Sequence, residues 1–161
     1  MNNLKINWKK AGSVAIVLAL FLIVGSQIPY FLSPSNLLNV VRQSSIISIV
    51  AYGSAMVIII KGIDLSVGGI MSLAAMVNGL LMLMGVPVPL AIAAGLLVGI
   101  AMGLFNGLMV QMLEVPAFIT TLVIGNIATG LALIFNKGGS LGGFPDSYVF
   151  LGNGTFLGIP I

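Results

Sequence analysis

Long, uncharged apolar runs alternate along the chain with short breaks that contain charges, prolines or glycines. At 1.5 Å per helical residue, each run approaches the thickness of a bilayer core, about 30 Å. The pattern therefore predicts five membrane-spanning helices, at residues 11–28, 44–60, 65–84, 88–113 and 117–135. The expected fold class is all-α, a polytopic transmembrane helix bundle of about five spanning helices.

The break between the second and third runs is unusual. It reads VIIIKGIDLSVGG over residues 57–69 and places Lys61 and Asp64 between two apolar stretches. Asp64 or Ser66 can cap the following helix at its N-terminus. Glycines beside such a break indicate close backbone approach, or a helix that starts inside the protein. We predict a broken or restarting third helix near 61–66, with a motif at the inner membrane face formed by Gly62, Asp64, Ser66 and Gly68.

The two ends of the chain are more polar. Residues 1–10 hold three lysines, and the run after them is either a retained anchor or a signal peptide with a weak cleavage site at 24–26. Further on, Ser35 and Asn36 resemble a helix N-cap. Residues 136–161 are rich in glycine and are predicted to form an extracytoplasmic loop. The expected organisation is a transmembrane region over 1–135 and a loop over 136–161, and we predict that the chain is truncated after this loop.

Composition supports a lipid environment. Hydrophobic residues make up 59% of the 161 residues and charged residues 6%, with a mean hydropathy of +1.22; soluble domains carry about 25% charged residues. The absence of cysteine and histidine excludes disulfides and the usual zinc or iron sites. The net charge of +3 is small and scattered, which favours a topology signal over a nucleic-acid surface.

The distribution of basic residues predicts the orientation. With the N-terminus inside, the inner side holds Lys5, Lys9, Lys10 and Lys61, and the outer side holds Arg42 and Lys137. This excess favours a cytoplasmic N-terminus.

Glycines recur every four residues in the fourth run, at Gly95, Gly99, Gly103 and Gly107. In lipid, small residues on one helix face let two helix backbones approach closely. The spacing therefore predicts helix packing and a central place for this helix; a substrate groove is the alternative.

Polar side chains also occur within the runs. Four of them lie roughly 9 to 14 Å from the inner face, and Tyr52 offers an amphipathic wall to a sugar-like ring. These groups either bond across helices or line a translocation path for a hydrogen-bonding solute. The candidates are Tyr52, Ser54, Ser72, Asn106 and Asn126.

Enzyme chemistry finds little support. The chain has three acidic residues and no phosphate-binding loop of the Gly-x-x-x-x-Gly-Lys type. We predict no catalytic residue, no metal and no cofactor in this chain; if transport uses ATP, a partner subunit hydrolyses it.

Two stretches carry a family resemblance. KGIDLSVGGIMSLAA (61–75) and VPAFITTLVIGNIATGLALIFNKG (115–138) resemble the permease subunits of bacterial sugar ABC importers, in the ribose, xylose, galactoside and autoinducer-2 branch. The resemblance covers residues 10–161 and corresponds to the N-terminal half of such a permease. It leaves open whether the chain is a fragment, a truncated product or a half completed by another chain.

The resemblance implies a membrane-spanning permease of a sugar importer in the bacterial inner membrane. Its implied partners are a cytoplasmic ATPase subunit, an extracytoplasmic sugar-binding protein and a second permease subunit. Alternating access would then move the solute through the helix bundle. The rival interpretation is a non-transporting structural membrane subunit or a channel-like bundle, and no feature of the sequence identifies the sugar.

Overall fold

The computed structural model describes residues 8–156, 159 and 160. Its helices are α1 (Trp8–Gln27), α2 (Pro34–Ile59), α3 (Val67–Leu83), α4 (Val88–Gln111), α5 (Ala117–Phe135) and α6 (Asp146–Asn153). Two short strands, β1 (Thr155–Phe156) and β2 (Ile159–Pro160), pair antiparallel. The predicted class of apolar helices is thus confirmed, with a minimal two-stranded ladder added after α6.

Three of these helices, α2, α4 and α5, are long and apolar enough to cross a membrane. Two further apolar helices are shorter. They are the part of α1 from Val14 to Gln27 and the whole of α3. The predicted break also occurs, because helical structure stops at Ile59 and resumes at Val67.

The chain divides into two compact units, Met1–Ser45 and Ile46–Ile161. In the first, the rings of Phe21 and Phe31 meet edge to face with centroids 5.2 Å apart. Ser33 caps α2, since its Oγ accepts the N–H of Asn36 at 3.3 Å, and Pro34 takes the first helical position. The N-cap is therefore Ser33 and not Ser35 or Asn36, as predicted. The helix begins at Pro34, ten residues before the predicted start of the span at residue 44.

In the second unit, α3 packs against both α4 and α5, which contact each other less. Within the described residues, α3 is therefore the helix that packs against two neighbours, and the central place of α4 in a larger bundle stays a prediction. The core contains Leu73 of α3 with Ala128 and Ala132 of α5. Small α5 side chains let α3 approach closely, while many large apolar side chains of α4 point outward.

The helices end in left-handed turns that mostly lack glycine. After α2, Lys61 has φ of 61°, and the Gly62 N–H donates to the Val57 carbonyl at 2.9 Å, as in a Schellman motif. Lys137 repeats this after α5, and Glu114 takes a φ of 53° after α4. Charged residues thus occupy the C-terminal turns, where they can stay hydrated at the ends of the apolar helices.

The glycine-rich segment after α5 folds back on α3. A Cβ on Gly79 would lie 2.9 Å from Cδ1 of Leu141 and 3.2 Å from the ring of Phe144. Phe144 and Tyr148 also meet edge to face, with centroids 5.5 Å apart. This segment, predicted as a loop, therefore contains α6 and makes ordered contacts with the end of α3.

Candidate functional site

Residues 60–66, which we name the break segment, enter the body of the second unit. Ser66 is fully buried, with 0% of its surface exposed. Asn106, one of its partners, lies five residues before the end of α4, about 7.5 Å inside that end. The third helix thus begins within the protein, which agrees with the glycine-flanked pattern of the sequence.

Asp64 shapes the start of α3 from outside the helix. Its Oδ1 accepts the Ser66 backbone N–H at 2.7 Å and the Ser66 hydroxyl at 2.6 Å. Ser66 is the N-cap residue, yet no side chain makes a capping hydrogen bond to α3. The predicted cap by the Ser66 side chain is therefore wrong, because its hydroxyl turns toward Asp64, while Asp64 satisfies the backbone N–H of the N-cap residue.

Asn106 links this turn to α4. Its Nδ2 donates to the Ser66 Oγ at 2.8 Å, and Asn106 is only 7% exposed. The Ser66 hydroxyl thus accepts from Asn106 while it donates to Asp64. The resulting chain of hydrogen bonds joins a carboxylate, a hydroxyl and an amide across two elements.

Thr121 makes the equivalent link to α5. Its Oγ1 accepts the Leu65 N–H at 3.0 Å and donates to the Ala117 carbonyl at 2.8 Å. A break in a membrane helix exposes backbone polar groups that lipid cannot satisfy. Thr121 satisfies one of them, so α4 and α5 together hold the break segment.

The closest helix approach lies directly beside this network. A Cβ on Gly69 of α3 would clash with the Gly125 carbonyl oxygen of α5. A Cβ on Gly125 would in turn lie 2.9 Å from the Ser66 Cα. Both positions therefore require glycine, and they set how closely α3 and the break segment pack on α5.

A half-open cavity of about 210 Å³ opens beside the break segment. Apolar side chains form most of its wall, and Asp64, Asn106 and Thr121 supply its polar groups. The lining residues are Val57, Ile60, Gly62, Ile63, Asp64, Gly103, Asn106, Gly107, Val110, Ala117 and Thr121.

The inner-face motif residues differ in their surroundings. Gly62 and Asp64 line this cavity, and Ser66 lies buried behind them. A Cβ added to Gly68 would meet nothing within 4 Å. The structure thus brings three of the four together.

The polar residues predicted within the spans divide into two groups. Asn106 is buried and bonds across elements, while Ser54 is half-buried. Tyr52 is 73% exposed, Asn126 is exposed, and exposed Ser72 bonds the Gly68 carbonyl of its own helix. Their part in a translocation path stays a prediction.

The four predicted packing glycines of α4 have different surroundings. A Cβ on Gly95 would lie 3.0 Å from the Ala74 carbonyl oxygen and from the Asn78 Cβ, both in α3. Gly99, Gly103 and Gly107 have nothing within 4 Å of an added Cβ. A four-residue spacing advances about 40° per step around a helix of 3.6 residues per turn, so one straight neighbour cannot follow the whole row. The packing role of the last three stays a prediction.

Sequence reasoning pointed to close backbone approach at the glycines after the break, which include Gly69, but it missed Thr121 and Gly125. A signal was available, because Thr121, Gly125, Ala128 and Ala132 repeat at spacings of three and four, which places small residues on one face of α5. All four are buried in the structure.

Comparison with known proteins agrees with this architecture. A family model described as "Branched-chain amino acid transport system / permease component" matches residues 36–152. The D-allose transport system permease protein AlsC of Escherichia coli is 37% identical over 99% of this chain and 49% of its own length. No solved structure matches the chain.

Two further relatives carry related names. The ribose import permease protein RbsC of Bacillus subtilis is 37% identical over 95% of this chain and 48% of its own length. The autoinducer 2 import system permease protein LsrC of Salmonella typhi is 31% identical over 95% of this chain and 44% of its own length. The chain spans about half the length of the curated relatives it matches.

These matches confirm the resemblance found in the two motif stretches. The family is one of transport permeases, and the apolar helices of this chain fit a multi-pass membrane protein. Because the family model covers residues 36–152, most of the chain, this protein belongs to the family of branched-chain amino acid transport system permease components.

Proposed function

We propose that this chain is a membrane-spanning permease component of an ATP-driven sugar importer and forms part of its translocation path. The observation that carries the proposal is the similarity, over 92–99% of the chain, to permeases named for D-allose and ribose. The family description names branched-chain amino acids instead. The named relatives favour a sugar, and the two classes of solute are separable by experiment.

The proposed partners follow from that role. A cytoplasmic ATPase subunit hydrolyses ATP, an extracytoplasmic binding protein delivers the sugar, and a second permease subunit completes the path. The membrane is the bacterial inner membrane. Asn126 supports a path along α5, because it is exposed near the middle of an apolar helix, where an amide facing lipid alone is costly.

The function is tested in the source bacterium by deleting the gene and restoring it with wild type or variants. We expect deletion to abolish uptake of labelled ribose or allose and to leave leucine uptake unchanged. Restoration with Asn126→Leu should lower sugar uptake about five- to tenfold, as expected for one lost hydrogen bond to the solute. Leu122→Ala, one turn away on the exposed side of α5, serves as the control and should restore uptake.

Two outcomes would count against this function, and a third would count against the role of Asn126. Loss of leucine uptake alone would favour the amino-acid role in the family description. Unchanged uptake of every solute would favour a structural subunit. Full sugar uptake with Asn126→Leu would show that Asn126 does not take part in the translocation path.

The orientation is tested separately by cysteine labelling, since the chain has no cysteine of its own. We propose a cytoplasmic N-terminus, which the excess of basic residues there favours and which would put Glu114 inside and Ser140 outside. An impermeant thiol reagent added to intact cells should therefore label Ser140→Cys and spare Glu114→Cys. The reverse pattern would invert the proposed topology.

A further inference from the structure

The cavity beside the break segment combines hydrogen-bond acceptors with an apolar wall. Both hydrogen bonds that Ser66 donates to Asp64 fall on Oδ1, so Oδ2 keeps its lone pairs for another donor. The Asn106 Oδ1 is buried and has no hydrogen-bond partner among the described residues. A buried acceptor without a donor is unfavourable, and Asn106 is one of the residues that line the cavity, so a donor bound in the cavity would relieve this cost.

The negative charge in the cavity favours a positively charged hydrogen-bond donor. Asp64 is the charged residue among its lining residues, which include no lysine or arginine. A cationic N–H donor would satisfy an amide oxygen and compensate the carboxylate at once, through charge-assisted hydrogen bonds.

The position of the cavity indicates what the ligand carries besides its cationic donor. Asn106 and Thr121 lie about 6 to 8 Å from the ends of α4 and α5. If these helices span the bilayer, this position corresponds to the boundary between acyl chains and headgroups. Val57, Ile60 and Val110 offer an apolar wall. Lys61, exposed between two lining residues, places a positive charge at the rim, where it suits a phosphate.

We propose that this cavity binds the headgroup of an aminophospholipid, with its primary ammonium toward Asp64 and Asn106 and its phosphate near Lys61. Phosphatidylethanolamine has this arrangement of charges, and its –NH₃⁺ carries three donors. Phosphatidylcholine has the same charges and no N–H donor, so hydrogen bonding distinguishes the two lipids. This site is independent of which solute the protein transports.

The test is native mass spectrometry of the full chain, delipidated in detergent and mixed with phosphatidylethanolamine or phosphatidylcholine of identical acyl chains. We expect phosphatidylethanolamine to bind about tenfold more tightly, the equivalent of one charge-assisted hydrogen bond. Asp64→Asn should abolish the preference, because it removes the charge and keeps an acceptor for Ser66. Asp146→Asn, an exposed carboxylate on α6, is the matched control and should retain it.

A second variant keeps the test valid if Asp64→Asn fails to fold. Gly103→Val fills the cavity from a position where an added Cβ meets nothing within 4 Å, so it should abolish the preference without lowering the melting temperature. Equal binding of the two lipids by wild type would overturn the proposal. A preference retained by both Asp64→Asn and Gly103→Val would do the same.

Discussion

Gly69→Ala is expected to destabilise the chain by roughly 3 kcal/mol, the largest effect that we predict for a single methyl group. The new Cβ would collide with the Gly125 carbonyl oxygen, which belongs to the backbone of a packed helix and cannot rotate away. Relief requires α3 and α5 to separate, and separation weakens the core around Leu73 and Ala128. Thermal unfolding of the full chain in detergent should show a melting temperature lower by roughly 6 to 12 °C.

The control is the same substitution on α4. Gly99→Ala meets nothing within 4 Å, and alanine favours a helix over glycine by up to about 1 kcal/mol. Its melting temperature should be unchanged or slightly raised. Gly125→Ala should resemble Gly69→Ala, because its Cβ would lie 2.9 Å from the Ser66 Cα. Equal stability of Gly69→Ala and Gly99→Ala would mean that α3 and α5 do not pack as described.

Ser66→Ala is expected to destabilise the chain by about 1 to 3 kcal/mol, the cost of a buried polar group left without its partner. The substitution removes the acceptor of the Asn106 amide, whose residue is 7% exposed, and one of the two donors to Asp64. The same thermal unfolding measurement reports the loss.

Ser72→Ala supplies the matched control on the same helix. Ser72 is exposed and its hydroxyl bonds the Gly68 carbonyl one turn earlier, so its loss should stay within about 0.5 kcal/mol. The double variant Ser66→Ala with Asn106→Leu should recover part of the stability that Ser66→Ala loses, because it removes the stranded donor as well. Strict additivity of the two substitutions would show that the Ser66–Asn106 hydrogen bond does not contribute to stability.

The sequence by itself determined the helical class, five of the six helices and several of their ends. The predicted bounds of α5 are identical to the observed ones, and α4 begins at the predicted Val88. Pro87 and Pro116 precede these helices, and proline at such a position starts a helix for local reasons. Apolar runs and proline act within a few residues of chain, so they can be interpreted without a neighbour.

Polar residues predicted the start of α2 less well than apolar runs and prolines predicted the other helix ends. The prediction separated Arg42 and Gln43 from the span, whereas the helix runs through both. The Arg42 guanidinium donates to the Asn39 side chain three residues earlier, on the same helix. A charge that finds a partner within one turn does not interrupt a helix.

Only the tertiary structure decided which residues meet. Asn106 and Asn126 were predicted at similar depth, yet one is buried and the other exposed. The regular glycine row of α4 meets α3 at Gly95 alone, while the less regular pair Gly69 and Gly125 forms the tightest contact. In a lipid-facing helix the apolar residues surround the whole circumference, so hydrophobicity does not mark the packed face. That face is chosen by the fit of small residues and hydrogen bonds on two helices at once, which no single stretch of sequence contains.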